Sequence, residues 1–388
     1  MDFTFSEEQT MFRDMVRDFA QKEVLPLAET LDREERPPLE TLKKAAQLDM
    51  LGIPFPEKYG GMDMGAITFA IMIEELAKVC ASTASTVGID VGVGMMAIFL
   101  GGTEDQKKKH LPSLIKSGRL AAFALTEPDA GSDVASISTS AVKDGDSYVL
   151  NGAKIWATNA DIADVTTVFA VTAPGAGAKG ISAFLVEEGT PGLTIGWRDK
   201  KMGMRGVSTC AVFLDNCRVP AANLLGGEEG KGFGLAMKTL DFGRVSVAAT
   251  CLGLSQGCLD ASVAFARDRQ QFGGPIAMKG AIQAAIADMA AQVESLRYLV
   301  YHTAWLVDAG KEFGWEASTA KLWGSQVATF CSNKALQVHG GMGYMKRFPI
   351  ERIYRDAKIL PIWEGTSEIQ RFLIASKLFR EAGVKIVP

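Results

Sequence analysis

The chain has 388 residues, 47% of them hydrophobic and 22% charged, with a net charge of -4 and a pI near 5.6. That length exceeds what one core usually serves, so two or three packed regions of an ordinary globular protein are expected. The mild acidity excludes a basic field for nucleic acid or an anionic membrane surface, and anionic ligands would need local arginines.

The elements follow in order. Ser6-Glu-Glu-Gln9 is a capping box, and Phe12, Met15, Val16 and Phe19 recur at helical spacing behind it. Leu39 to Leu51 repeats the pattern and stops at Gly52, where Pro54, Pro56 and Gly60-Gly61 make a loop. Ala66 to Val79 is helical again. Small residues from Ala81 to Thr86 then lead to the apolar segment 87–100, which carries Asp90 and is too short to span a bilayer. Thr103-Glu-Asp-Gln106 caps a helix ending near Gly118.

From Arg119 the period changes. Runs at Ser138 to Val142, Tyr148 to Leu150, Val165 to Val171, Ile181 to Val186, Leu193 to Trp197 and Thr209 to Leu214 alternate with turn signals at Asp144-Gly145, Asn151-Gly152 and Pro174-Gly175. After the glycine-rich link from Gly226 to Gly234, helical patterns return at Leu235 to Arg267, Ala281 to Val307, Glu316 to Gln337 and Ser367 to Ala382. The expected fold is α+β: helical over 1–118, an antiparallel β-barrel or sheet over 119–231, and a four-helix bundle over 232–388.

Six cysteines form no C-x-x-C pair, which implies reduced, buried thiols. Three histidines without metal spacing speak against a zinc site or a Ser/His/Asp triad, and no metal is expected. The start shows neither signal nor transit peptide, so a cytoplasmic bacterial enzyme is expected, or a mitochondrial matrix one if eukaryotic and processed. Gly230-Lys-Gly-Phe-Gly234 lacks the strand before it that a Rossmann site needs and the spacing of a P-loop, and reads as a linker.

Four constellations carry chemistry. Thr126-Glu-Pro-Asp-Ala-Gly-Ser-Asp133 offers hydroxyls and backbone N–H groups to a polar ring or phosphate, or is simply a turn. In Asn151-Gly-Ala-Lys-Ile-Trp-Ala-Thr-Asn159, Trp156 and Thr158 fall on alternate positions, where an indole either stacks on a cofactor or joins the core. Asp241-Phe-Gly-Arg244 places acid and guanidinium one turn apart, as a surface ion pair or a clamp for phosphate and amide groups. In Trp363-Glu-Gly-Thr-Ser367, Glu364 stands beside a glycine bend at a helix start, as a base or as a macrodipole partner.

In their order and spacing these motifs, with Arg269-x-Gln-Phe-Gly273, Gln337-Val-His-Gly-Gly-Met-Gly-Tyr344 and Tyr354-Arg-Asp-Ala-Lys358, resemble the acyl-CoA dehydrogenase family along essentially the whole chain. The short-chain, butyryl-like branch is the most similar. The resemblance implies bound FAD and oxidation of an acyl-CoA across its α and β carbons. It makes Glu364 the base for the α-proton, the β-hydrogen leaving as hydride to flavin N5. Some relatives carry the base at position 243 instead, which is Gly243 here.

For FAD the resemblance implies Phe123, Leu125, Thr126, Gly131, Ser132, Trp156, Thr158, Thr366, Ser367 and Glu368. Arg269, Phe272, Gln337, Val338, Gly340 and Gly341 reach the FAD of a neighbouring subunit in a homotetramer built from dimers. A glutamine common in relatives after the Arg-x-Gln-Phe-Gly motif is Gly280 here, which removes one adenosine contact. Ser132, Asp241, Arg244 and Gly365 match acyl-CoA contacts, and an electron-transferring flavoprotein is the implied acceptor. Asp90 falls on a segment lining the acyl pocket, either as a solvated helix-end acid or as a buried group opposing carboxylated substrates and acting as a second base on an alicyclic ring. No arginine between Ala84 and Gly94 suits a distal carboxylate, and bulky Trp363 suggests a compact acyl group. The alternatives are an acyl-CoA oxidase, against which the length speaks, and a catalytically idle acyl-CoA-binding protein, against which Glu364 speaks.

Overall fold

The computed structural model describes residues 4–384 and Ile386. The Ser6 hydroxyl accepts from the Gln9 N–H while the Gln9 side chain accepts from the Ser6 N–H, which starts α1 (Glu7–Phe19) as the capping box requires. Phe12, Val16 and Phe19 are its buried stripe. Beyond α2 (Ala28–Glu34) and α3 (Leu39–Gln47), α4 (Gly65–Val79) runs through the interior. The N–H groups of Ala66 and Ile67 at its start donate to the Asp308 carboxylate, which arrives from the far end of the chain.

The small residues before the apolar segment are not a connector. They form α5 (Ala81–Ile89), which continues through a π-helical turn, Asp90–Met95, into α6 (Met96–Gly101). The resulting 21-residue run, Ala81–Gly101, is long and apolar enough to cross a membrane, and 78% of its apolar window is buried inside the protein. Alanine, serine and threonine are there because the run packs closely on its neighbours: a Cβ on Gly88 would meet Ser246 Oγ at 2.3 Å, and one on Gly94 would meet Ala121 O at 2.2 Å. Then α7 (Glu104–Ser117) ends at Gly118, φ +67°, where a left-handed cap favours glycine.

The middle region is a seven-stranded sheet of β1 (Leu120–Ala124), β2 (Ser140–Asp144), β3 (Ser147–Thr158), β4 (Ala163–Val171), β5 (Ile181–Glu187), β6 (Leu193–Arg198) and β7 (Thr209–Pro220). The order is β1-β4-β2-β3-β7-β6, with β5 also on β4. The β2–β3, β3–β7, β4–β5 and β6–β7 pairings are antiparallel as expected, but β1 lies parallel to β4 and β2 meets the end of β4 in parallel at Ser140 and Val171. Turn signals report only strands that follow each other, and β1 pairs with a strand two hairpin arms away. Asn151-Gly152 is likewise no turn. It lies inside β3, where Gly152 takes φ +152° at a bulge and a Cβ would meet Thr139 Oγ1 at 2.5 Å.

The C-terminal region holds α8 (Gly232–Asp268), α9 (Gly280–Asp308), α10 (Gly314–His339) and α12 (Ser367–Glu381) as its long helices. A short hairpin, β8 (Gln270–Gln271) and β9 (Gly274–Pro275), joins α8 to α9, and α11 (Ile350–Ala357) lies between α10 and α12. The Arg355 guanidinium bonds both oxygens of Asp32 at 2.8 Å and also meets Glu351 and Met202 O. The Asp356 carboxylate accepts from the Met204 N–H. Tyr-Arg-Asp thereby pins α11 to both preceding regions, just before the chain reaches Glu364.

Candidate active site

After α11 the backbone folds through a tight turn, with the N–H groups of Ile362 and Trp363 donating to Ile359 O at 2.8 and 3.1 Å. Glu364 (φ +50°) and Gly365 (φ +90°) are then both left-handed. For glutamate this costs about 1 kcal/mol, so something must hold it. Gln370 Nε2 donates to Gly365 O at 3.0 Å and to Glu364 O at 3.4 Å, and Lys321 Nζ donates to Gly365 O at 2.6 Å. Thr366 caps α12, its Oγ1 accepting from the Ile369 N–H.

The turn directs the Glu364 carboxyl into the protein. Residue 364 as a whole is half-buried, yet its Oε2 is withdrawn from solvent and has no hydrogen-bond partner. Gly243 of α8 lies against it: a Cβ there would meet Glu364 Oε2 at 2.5 Å and Val93 Cγ2 at 2.9 Å. Burial raises the carboxyl to about 7, while Lys321 and Arg244 pull it down. Arg244 is buried, is itself lowered by burial, and pairs with Asp241 one turn earlier, leaving its Nε unpartnered. Burial raises Asp241 despite that cation. Asp241 also lines a cleft of about 710 Å³ bounded by Gly65, Met96, Phe99, Lys238 and Phe313. Glu364, Gly365, Asp241 and Arg244 therefore form one cluster.

Asp90 is not a solvated helix-end acid. Its residue exposure is 0%, Oδ1 accepts from the Ala121 N–H of β1 at 2.8 Å, and Oδ2 has no partner. Burial raises its carboxyl to about 8. Asp90 is no helix end: it opens the π-helical turn that joins α5 to α6, and every residue of that turn is buried.

A second cluster lies on the sheet rim. Lys154, fully buried in β3, donates to Leu125 O at 3.1 Å and to Glu127 Oε1 at 2.7 Å, and Ile155 N–H donates to Thr126 O at 2.9 Å. Burial opposes charge on Glu127, but hydrogen bonds from Lys154, Thr139 and Ser138 outweigh it and hold the carboxyl at about 2. The 126–133 loop is thus fastened to β3. Phe123 packs on Phe169, Leu125 is buried, Thr126 and Thr158 are half-buried, and Gly131 and Ser132 are exposed. Trp156 does not follow simple alternation: a bulge between Lys154 and Ala157 gives it φ +54° and leaves it 62% exposed.

A third cluster sits at one end of the bundle, where Phe265 stacks on His339 at 4.3 Å and brings the ends of α8 and α10 together. Arg269, Gln337, Gly340 and Gly341 are exposed there, Val338 is buried, and Phe272 is 91% exposed. Thr366, Ser367 and Glu368 begin α12, with Ser367 buried and Glu368 exposed. Exposed Trp156 and Phe272, and the open space a Cβ would find at Gly131, Gly340 and Gly341, leave room for a large ligand with a planar ring.

Sequence reasoning missed Lys321, which is fully buried with its amine under the Glu364 turn. The signal was present: Ala317, Ala320, Gly324, Val327, Ala328 and Cys331 recur at helical spacing, and Lys321 falls on that stripe.

The three-part scaffold, with a buried carboxyl raised toward neutrality and exposed ring-stacking side chains elsewhere on it, is that of a class of flavoprotein oxidoreductases, as the comparisons with known proteins show. Family models for the N-terminal, middle and C-terminal domains of acyl-CoA dehydrogenases match residues 6–118, 122–217 and 230–379. The probable acyl-CoA dehydrogenase YngJ of Bacillus subtilis is 47% identical, over 98% of this chain and all of that one. Butyryl-CoA dehydrogenase from Megasphaera elsdenii superimposes with a TM-score of 0.96 at 40% identity, over 98% of this chain and all of that one. A chain from structural work on the electron transferring flavoprotein of Acidaminococcus fermentans and flavin-based electron bifurcation also gives 0.96, at 42% identity and with the same coverage. The chain belongs to the acyl-CoA dehydrogenase family, whose members use FAD.

Proposed function

We propose that this protein oxidises a short, branched or alicyclic acyl-CoA thioester across its α and β carbons, with Glu364 removing the α-proton. The observation that carries the reading is the Glu364 carboxyl itself: Oε2 unpartnered, out of solvent, and near 7 between Arg244 and Lys321. A base matched to neutral pH takes a carbon-bound proton without being masked by a permanent partner. The negative charge that develops on the thioester oxygen needs a donor, and the Glu364 N–H has no acceptor among the described residues. Asp241 on the cleft wall and buried Arg244 paired with it would offer amide and phosphate contacts to CoA, Gly365 lets substrate approach the turn, and Ser132 adds a hydroxyl from the rim. The chemistry FAD supplies when bound is acceptance of the β-hydrogen as hydride.

FAD would be held by Phe123, Leu125, Thr126, Gly131, Ser132, Trp156, Thr158, Thr366, Ser367 and Glu368. Arg269, Phe272, Gln337, Val338, Gly340 and Gly341 would serve the neighbour's FAD in a homotetramer; a fully active dilute monomer would contradict that assembly. An electron-transferring flavoprotein is the proposed electron acceptor, a reading supported by the similarity to the Acidaminococcus fermentans chain. Hydrogen peroxide release without reduction of that carrier would point to an oxidase instead. The test of the base is Glu364→Gln: FAD content stays, while bleaching of the flavin by butyryl-CoA is lost by about 10³-fold or more. Near-normal turnover would end the assignment.

A second reading rests on Asp90. Its Oδ2 is buried and unpartnered, and Val93, within the same π-helical turn, flanks Gly243 together with the Glu364 carboxyl. Mostly protonated at neutral pH, a carboxyl so placed would act as a second proton acceptor for an alicyclic acyl ring, and oppose substrates ending in a carboxylate, only as pH rises toward about 8 and above.

A further inference from the structure

Lys321 performs no step of the mechanism above, and its burial needs a reason. Its residue exposure is 0%, it stands on the apolar stripe of α10, and among the described residues its amine forms no ion pair. Placing an ammonium there is costly unless the charge does something. Its one hydrogen bond, Nζ to Gly365 O at 2.6 Å, is not what the turn lacks, because Gln370 Nε2 already donates to the same carbonyl at 3.0 Å. A neutral side chain would have served as a second peg.

The groups facing the amine show where the charge acts. Burial lowers the amine to about 8, so it is charged at neutral pH, and the groups that act on it electrostatically are Cys251, Glu364, Arg244 and Glu368. Burial raises the Cys251 thiol to about 12, so it stays neutral. Glu368 is exposed to solvent, which screens it. The Arg244 charge is shared with Asp241. That leaves Lys321 as the cation without a partner next to the buried Glu364 carboxyl.

We propose that Lys321 is the positioning residue for the base: its amine, seated on the Gly365 carbonyl next to Glu364, holds an unshared charge beside the carboxyl and favours its ionised form. The proposal rests on Glu364 being the base. Removing the cation without removing the bulk should therefore move the pH at which the base becomes competent, which loss of a packing contact would not do.

The test uses flavin-loaded enzyme with Lys321→Met, Lys321→Arg and Glu364→Gln as a control. Two readouts are taken from pH 5.5 to 9.5: the turnover profile, and the infrared carboxyl band that disappears in Glu364→Gln. Lys321→Met is expected to move both midpoints upward by on the order of one pH unit. Its turnover should be about tenfold low at pH 6.5 and recover toward wild type at pH 9. Lys321→Arg keeps the charge and should keep the midpoints, with turnover lowered by a similar factor at every pH. Midpoints in Lys321→Met that coincide with wild type would overturn the proposal, whatever the turnover. Should Lys321→Met fail to fold, a displaced midpoint in Lys321→Arg would overturn it, and an unmoved one would support it. Normal turnover in Glu364→Gln would instead remove the base assignment, an outcome separate from both.

Discussion

Glu364 occupies a backbone region where a side chain is strained, and it is held there by Gln370 from its own helix and Lys321 from another. The space its carboxyl fills exists because residue 243 has no side chain. Gly243→Ala would drive a methyl to within 2.5 Å of Glu364 Oε2. We expect kcat/KM to fall by about 10²-fold, since displacement of a reacting group by about 1 Å has that cost. The melting temperature should stay close to wild type, because the roughly 1 kcal/mol that alanine adds to the α8 helix is opposed by its contact with Val93 Cγ2 at 2.9 Å. A rate loss matched by unfolding would contradict this. Glu364 was legible in the sequence because a glutamate, a glycine and a capping threonine stand together. The depth of its carboxyl was not, because that depends on helices more than a hundred residues upstream and on Lys321, whose amine only the folded chain brings under the turn.

At the scale of elements, the π-helical turn Asp90–Met95 decides where a carboxyl is buried. Asp90 is raised to about 8, so the folded protein holds this proton more tightly than the unfolded chain does. The sign follows: stability from this group is greatest below the ordinary carboxylate range and declines as pH rises from about 4 to about 8. Asp90→Asn keeps an oxygen for the Ala121 N–H and carries no charge. Its melting temperature should exceed wild type by a few degrees at pH 8.5 and by less at pH 5, measured by calorimetry. An advantage larger at pH 5 would contradict the buried placement. Under the alicyclic reading the same variant loses turnover with cyclohexanecarbonyl-CoA far more than with butyryl-CoA. Most elements could be read from periodicity and caps, within a few residues. Asp90 could not, because a π-turn has no composition of its own. Nor could the parallel β1 and β4 pair, since residues 125–162 separate the two strands.

Over the whole molecule, helices, sheet and helices are legible from the change of hydrophobic period at Arg119 and again after Gly234. What composition does not show is how they are locked. Asp308 caps α4 from the C-terminal region, Asp90 bonds β1 from the N-terminal one, and Arg355 with Asp356 joins all three just ahead of the Glu364 turn. The rim and bundle-end clusters remain exposed by contrast, which is why their residues were found by motif and not by burial. The most direct measurement is a crystal structure of the flavin-loaded enzyme with a butyryl-CoA analogue that cannot be oxidised. The expected result is a Glu364 carboxylate oxygen about 3 to 3.5 Å from the analogue's α-carbon, with the flavin ring on the opposite face. A carboxyl turned away from that carbon, or an acyl chain seated outside the Glu364, Arg244 and Gly243 cluster, would contradict the account.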